Sequence, residues 1–272
     1  MIISDSHKLA FVHIPKCAGS TVRSRLRELD DRKGFYTNRI EWHPELGWLD
    51  YVHIPLFTLR DHFETDFQKL RDYWTFAAVR DPYSRFPSSI SQRLKKHGRQ
   101  PIHNLTVREV KKEVDIVIEY LSKMPRANNR LTPAYIHFQR QVDYIFIDGV
   151  RIVDAIYMAD EVNDLIGGVS QHIGEGYNII PSEPIESKNR TMGYRNEFLR
   201  QIFSSTRIIT RQASKALPKI ARDRVRSLIF VEGGRRFDDV FASKHVKEFV
   251  QYYYMEDIGF VNRIRAGSHL AD

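Results

Sequence analysis

Residues 9–18 read LAFVHIPKCA and run on into Gly19, Ser20 and Thr21. Leu9, Phe11, Val12 and Ile14 form an apolar run that Pro15 stops, and a lysine follows at once. Small residues then open a segment carrying Val22, Leu26 and Leu29 at helical spacing. Strand, tight turn and helix in that order commit the start of the chain to a βα unit. Such a turn leaves the first backbone N–H groups of the helix unpaired, where a negative ligand is favoured. Lys16 adds a point charge at the same spot. The opening residues therefore predict an anion-binding turn of the phosphate type.

The rest of the chain extends that architecture. A second short strand is predicted over residues 49–54, ended by Pro55, and a third over the nearly continuous apolar run 73–79, as suits a buried parallel strand. Thr106 and Glu109 form a capping box ahead of a helix over residues 106–123, with Val107, Val110, Val114, Val117 and Leu121 as its stripe. Residues 144–147 and 155–158 read as strands around the Asp148-Gly149 turn. Helices are predicted near 160–166, over much of 195–229 and over 243–256. The expected fold class is α/β: a P-loop-like, three-layer arrangement with a mainly parallel central sheet flanked by helices and a helix-rich C-terminal third. We expect a single domain over residues 1–272, with 1–180 as an anion-binding α/β core and 181–272 as a helical part.

Composition narrows the partners. With 42% hydrophobic and 28% charged residues the chain reads as globular, and no apolar run is long enough to span a bilayer. The single cysteine excludes an intrachain disulfide. With no leader-like start, a cytoplasmic location is expected. Residues 188–241 hold thirteen Lys or Arg against five Asp or Glu, an excess equal to the whole net charge of +8. Aromatics are not interleaved with those arginines as in a single-strand binder, so no nucleic-acid partner is expected.

A second constellation, residues 76–88, reads FAAVRDPYSRFPS. It places Arg80 at a strand's C-terminal end and Ser88 eight residues on, where an open α/β sheet binds ligands. A guanidinium fork and a hydroxyl there suit a second, separate phosphate. Arg85 reads as structural. A nucleoside triphosphatase would place its lysine after the glycines, whereas Lys16 precedes Gly19.

Together these segments resemble the sulfotransferase superfamily, in particular its carbohydrate-type, family 2-like branch. HIPKCAGST is similar to that family's loop for the 5′-phosphosulfate of 3′-phosphoadenosine 5′-phosphosulfate. VRDPYSRFPSS is similar to its 3′-phosphate motif, with Arg80 and Ser88 in the matching places. The stretch His137-Phe138-Gln139-Arg140-Gln141 is similar to an H-x-x-P-Q region, with Arg140 where proline is usual and Gln141 as a further site candidate. Lys188-Asn189-Arg190-Thr191 and Tyr254-Met255-Glu256-Asp257 resemble two C-terminal motifs.

The resemblance implies a metal-independent enzyme that moves a sulfuryl group from that donor to an acceptor hydroxyl, on a glycan or glycolipid. It places Lys16, Cys17, Ala18, Gly19, Ser20, Thr21, Arg80 and Ser88 at the donor, with Lys16 also catalytic. His53, at a strand end before an apolar-proline turn, is the expected base among eleven histidines. His62 and His137 stand in reserve, and His13 reads as loop support. Cys17 sits beside Lys16 at a helix start, a setting that lowers a thiol's pKa, but with no histidine partner nearby in sequence it reads as the small residue the turn needs, binding through its N–H. Trp42 and Trp48 read as core packing, with a sugar-stacking platform as the alternative. A P-loop-like kinase or triphosphatase and a non-enzymatic basic module that binds nucleic acid or membrane remain the competing readings.

Overall fold

The computed structural model describes residues 1–37, 39–98, 100–174, 192–194, 230–232 and 235–267. Its centre is a four-stranded sheet. Strand β1 (Ile2–Ser4) pairs antiparallel with β2 (Leu9–Val12), and β2 pairs parallel with a later strand, Trp74–Val79. Between them come helix α1 (Gly19–Arg25), the hairpin β3 (Ile40–His43) and β4 (Gly47–Asp50), and helices α2 (Leu56–His62) and α3 (Glu64–Asp72). Trp74–Val79 is thus β5 in chain order. Leu9, Phe11, Val12, Phe76, Ala77 and Val79 are fully buried, which is why both strands are apolar without alternation.

Helix α4 (Pro82–His97) follows β5, capped by Asp81, and α5 (Val107–Ser122) follows it. The chain then makes a small hairpin of β6 (Phe146–Ile147) and β7 (Val150–Arg151). It returns to the sheet as β8 (Ala155–Met158), parallel to β5, and continues into α6 (Val162–Ile173). Strands β9 (Met192–Tyr194) and β10 (Phe230–Glu232) pair with each other. Helices α7 (Asp238–Phe241), α8 (Lys244–Tyr253) and α9 (Met255–Arg265) end the described chain. A mostly parallel sheet flanked by helices is the α/β class that the sequence predicts. No helix among the described residues is long and apolar enough to cross a membrane.

Two apolar clusters form the interior. One surrounds the sheet, α1 and α6; the other joins α4, α5 and α8 through Phe86, Ile90, Val114, Val117, Phe249 and Phe138. The capping box is present: the Thr106 N–H donates to Glu109 Oε2 at 2.7 Å and the Glu109 N–H to Thr106 Oγ1 at 3.3 Å. Of the predicted α5 stripe only Val107, in the first turn, is exposed.

Several local readings need correction. Residues 49–54 are not a sheet strand: β4 stops at Asp50, pairs only with β3, and residues 51–53 turn. Residues 142–144 are a 3₁₀ turn, so the Asp148-Gly149 turn joins β6 to β7 rather than to β8. The last helix breaks at Tyr254 and resumes as α9. Strand β1 escaped prediction because three residues carry no periodicity. The predicted helices within 195–229, the Lys188–Thr191 loop and most of the basic 188–241 region lie outside the described residues.

Replacing Thr106 by Ala is expected to lower stability by about 1 kcal/mol, the usual cost of a lost N-cap. Urea unfolding measures it.

Candidate active site

The turn after β2 is more strained than the sequence suggests. Lys16 and Ala18 both adopt left-handed backbone, with φ of +65° and +58°. Each non-glycine residue held there costs on the order of 1 kcal/mol. Backbone of this kind turns neighbouring N–H groups toward one concave side. Helix α1 has only seven residues and no side-chain cap at Ala18, so its dipole adds little beside the N–H groups of the turn itself. The Thr21 N–H is already taken by the Ala18 carbonyl at 2.9 Å, leaving Thr21 its hydroxyl. Gly19 is required for space: a Cβ there would collide with the His13 ring. His13 is thus the loop support that the sequence predicts.

The Cys17 thiol departs from the lowered pKa that its setting suggests, and the residue fills the turn as the sequence indicates. Its thiol is buried and donates toward Gln141 Oε1 at 3.2 Å and the Pro15 carbonyl at 3.4 Å. Burial pushes it up to about 12, outweighing Arg85, Arg80 and Lys16 nearby. It is no nucleophile at neutral pH.

Helix α4 links the two predicted anion sites. Arg80 Nε donates to Ser84 Oγ at 2.9 Å, and Lys16 Nζ donates to Gln92 Oε1 at 3.4 Å. Ser84, Ser88 and Gln92 follow at intervals of four, so they share one face of α4. Ser84 and Gln92 are about two turns, roughly 11 Å, apart along it. Ser88 lies midway between the residues that hold the two cations. Asp81 does not neutralise Arg80, because it caps α4 and pairs with Arg265 at 3.1 Å. Lys16 is half-buried. Burial first, then the charges of Arg80, Lys95 and Lys96, bring its ammonium down to about 8.

Three histidines meet beside this face. The ring centroids of His13 and His53 lie 4.8 Å apart, and those of His53 and His137 5.1 Å apart, both edge to face. All three are buried. His53 Nδ1 lies 3.3 Å from Asp50 Oδ2, and Lys96 Nζ lies 3.7 Å from the same oxygen. Burial pushes all three imidazoles below their ordinary value. The charges of neighbouring rings add to this at His13 and His137, and Asp50 offsets it only in part at His53. Asp50 is lowered too, against its burial: His53 and Lys96 hold it at about 2. His62 lies apart, on Glu45 at 2.8 Å and against the His43 ring.

Asp50 and Lys96 escaped the sequence reading, since neither belongs to a motif. An Asp three residues before the candidate base is the local signal that was available. Trp42 and Trp48 are not core. They face each other across the β3–β4 hairpin at 6.1 Å and are 63% and 59% exposed. Arg130 holds that hairpin through the Leu46 carbonyl at 2.6 Å and the Trp48 carbonyl at 3.2 Å.

Residues 136–144 pack behind all of this. Gln141, completely buried, accepts the Arg80 N–H at 2.8 Å and returns its own N–H to the Arg80 carbonyl at 2.9 Å. Tyr144 OH donates to the His53 carbonyl at 3.2 Å. Helix α9 supplies Asp257, which accepts the N–H groups of Gln141 at 2.9 Å and Val142 at 3.0 Å. Arg85, structural as predicted, reaches Asp257 at 3.4 Å and the Gln139 carbonyl at 2.9 Å. Arg140, in the place of the usual proline, pairs with Asp143 at 2.7 Å and Glu256 at 3.0 Å.

The cluster has a measurable consequence in acid. Each imidazole titrates lower in the folded than in the unfolded chain, so the unfolded state binds more protons once the pH falls below the unfolded value near 6.5. The contribution of the three imidazoles should be level above pH 6.5. It should fall between 6.5 and 5 by up to about 1.4 kcal/mol per pH unit for each such group. Urea unfolding at pH 7.5, 6 and 5 checks this, and His137→Gln should flatten the slope.

No curated protein and no solved structure matches the chain. Residues 1–147 match the sulfotransferase family. That span is more than half of the 272 residues and includes the strained turn, His53, Arg80 and Gln141. The chain belongs to the sulfotransferase family, as an enzyme of its family 2-like branch.

Proposed function

We propose that this sulfotransferase uses 3′-phosphoadenosine 5′-phosphosulfate as its donor substrate and sulfates a hydroxyl on a glycan or glycolipid. The observation that carries the donor reading is the charge balance around Lys16. A half-buried lysine brought down to about 8 beside Arg80, Lys95 and Lys96 is a site built for an anion that is not part of the chain. Lys16 and Arg80, whose partners Gln92 and Ser84 lie about two turns apart on one face of α4 with Ser88 between them, suit a nucleotide bearing anions at two ends. The amides of residues 17–20 and the hydroxyls of Ser20 and Thr21 complete the phosphosulfate end in this reading.

The donor supplies the sulfuryl group and leaves as adenosine 3′,5′-bisphosphate. A sulfur–oxygen bond forms to the acceptor as the one to the bridging phosphate oxygen breaks. Lys16 stabilises the charge that grows on that oxygen, a contribution of about 3 kcal/mol for one preorganised donor. His53, neutral at pH 7, takes the proton from the acceptor hydroxyl, and Asp50 stabilises the imidazolium that results. The exposed Trp42 and Trp48 pair lies on the hairpin that leads into His53, and it supports a sugar ring as the acceptor's contact.

Calorimetry with adenosine 3′,5′-bisphosphate and with magnesium–ATP tests the donor. The bisphosphate should bind, and Lys16→Ala and Arg80→Ala should each weaken it by about tenfold or more. Preference for magnesium–ATP would overturn the reading. Because Lys16 binds an anion as its ammonium, affinity should fall above pH 8, approaching tenfold per unit, with a flatter profile in Lys16→Ala.

His53→Ala should lower kcat by about 10²–10⁴-fold while bisphosphate affinity stays unchanged. The wild-type pH profile should show no loss of base function above pH 6.5. Paired Trp42→Ala and Trp48→Ala changes should raise the acceptor KM and leave bisphosphate affinity alone. An unchanged acceptor KM would remove the hairpin from the acceptor site.

A further inference from the structure

We propose that Gln141 is a positioning residue whose side-chain amide sets the distance between the two anion-binding ends of the donor groove; the inference rests on the donor reading above. The parallel ladder between β2 and β5 runs only as far as Val12 opposite Ala77. Beyond it the chain after Val12 turns toward Lys16, while β5 runs on against β8 to Val79 and then Arg80, and no β2–β5 pairing spans the gap between them. Gln141 sits in that gap. Its Oε1 accepts the Arg80 N–H at 2.8 Å and the Cys17 thiol at 3.2 Å, and its Nε2 donates to the Arg80 carbonyl at 2.9 Å. The amide therefore pairs with Arg80 through both backbone groups, as a neighbouring strand would, and reaches the residue after Lys16 with the same oxygen.

Gln141 is itself fixed. Its backbone N–H donates to Asp257 Oδ2 at 2.9 Å, and Val142 binds the other carboxylate oxygen at 3.0 Å. Arg85, in the first turn of α4, reaches the same Asp257 oxygen as Gln141. One end of the tie is thus set by α4, which also carries the partners of Lys16 and Arg80. Gln141 is completely buried, so its role is to place Arg80 and Lys16 relative to each other. Only an amide of this length offers both an acceptor for the N–H and S–H groups and a donor for the carbonyl. A glutamate would set a carboxylate against the Arg80 carbonyl, and a methionine of similar size would leave both Arg80 backbone groups unpaired.

Two probes that differ only in the 3′-phosphate separate spacing from general integrity: adenosine 3′,5′-bisphosphate occupies both ends and adenosine 5′-monophosphate only one. In Gln141→Met, bisphosphate affinity should drop by about tenfold or more while the monophosphate changes by less than about twofold. The 3′-phosphate would thereby lose its advantage. Gln141→Asn keeps a buried amide one carbon too short, so it should show the same selective loss even if the methionine variant fails to fold. Equal weakening of both probes, or no change in either, would overturn the proposal. Wild-type protein that binds neither probe would remove the donor reading and this inference with it. If the wild type favours the bisphosphate and both variants keep that preference, the donor reading stands and the inference alone falls.

Discussion

Because β2 and β5 run parallel and in register from Leu9 opposite Trp74 to Val12 opposite Ala77, both strands finish on the same edge of the sheet. The loops leaving them start side by side, which is how residues 64 positions apart in sequence, Lys16 and Arg80, come to repel each other in space. The antiparallel β1 closes one side of β2, and β8 extends the sheet beyond β5. A parallel pair requires a crossover, and here it carries the β3–β4 hairpin and the turn that holds His53. Lys16, Arg80 and His53 are thus placed by a single topological choice.

The site is a collection of unfavourable local states that the packing around them sustains. Two left-handed non-glycine residues, a lysine among other cations and three buried imidazoles, of which His13 and His137 have unpaired Nδ1 atoms, each cost stability. The apolar cluster around the sheet and the second one under α4, α5 and α8 offset them. Strain gathered at one edge of an otherwise regular sheet is what a preorganised site looks like.

What the sequence revealed depended on whether the signal was local. The β2–turn–α1 unit, β5, the capping box of α5 and the positions of Lys16 and Arg80 follow from patterns within about fifteen residues, and those readings hold. The nature of the second strand was not legible, because an apolar hairpin arm and a short sheet strand look alike until a partner is known. Asp50, Lys96 and the histidine cluster were invisible for a related reason: His13, His53 and His137 are brought together from 124 positions of chain by tertiary packing. The role of Cys17 as a small turn residue was legible, but the direction of its thiol's pKa was not, because burial, which the sequence does not display, outweighs the neighbouring charges. Trp42 and Trp48 read as core by type, while the two-stranded hairpin that carries them turns them outward.

The carboxylate of Asp257 gives the molecule an order of assembly. Residues 1–147 carry the family match, the strained turn, His53, Arg80 and Gln141, yet the group that fixes the Gln141 backbone comes from α9, more than a hundred positions later. Contacts of such sequence separation form late, after the loop-closure entropy has been overcome. On a ribosome the first half of the chain would emerge with its sheet edge loosely defined, and the groove would take its final shape only once α9 docks. Synthesis and docking of the last helix then act as a completeness check: a nascent or truncated chain can hold most of the motif residues and still lack the geometry that uses them.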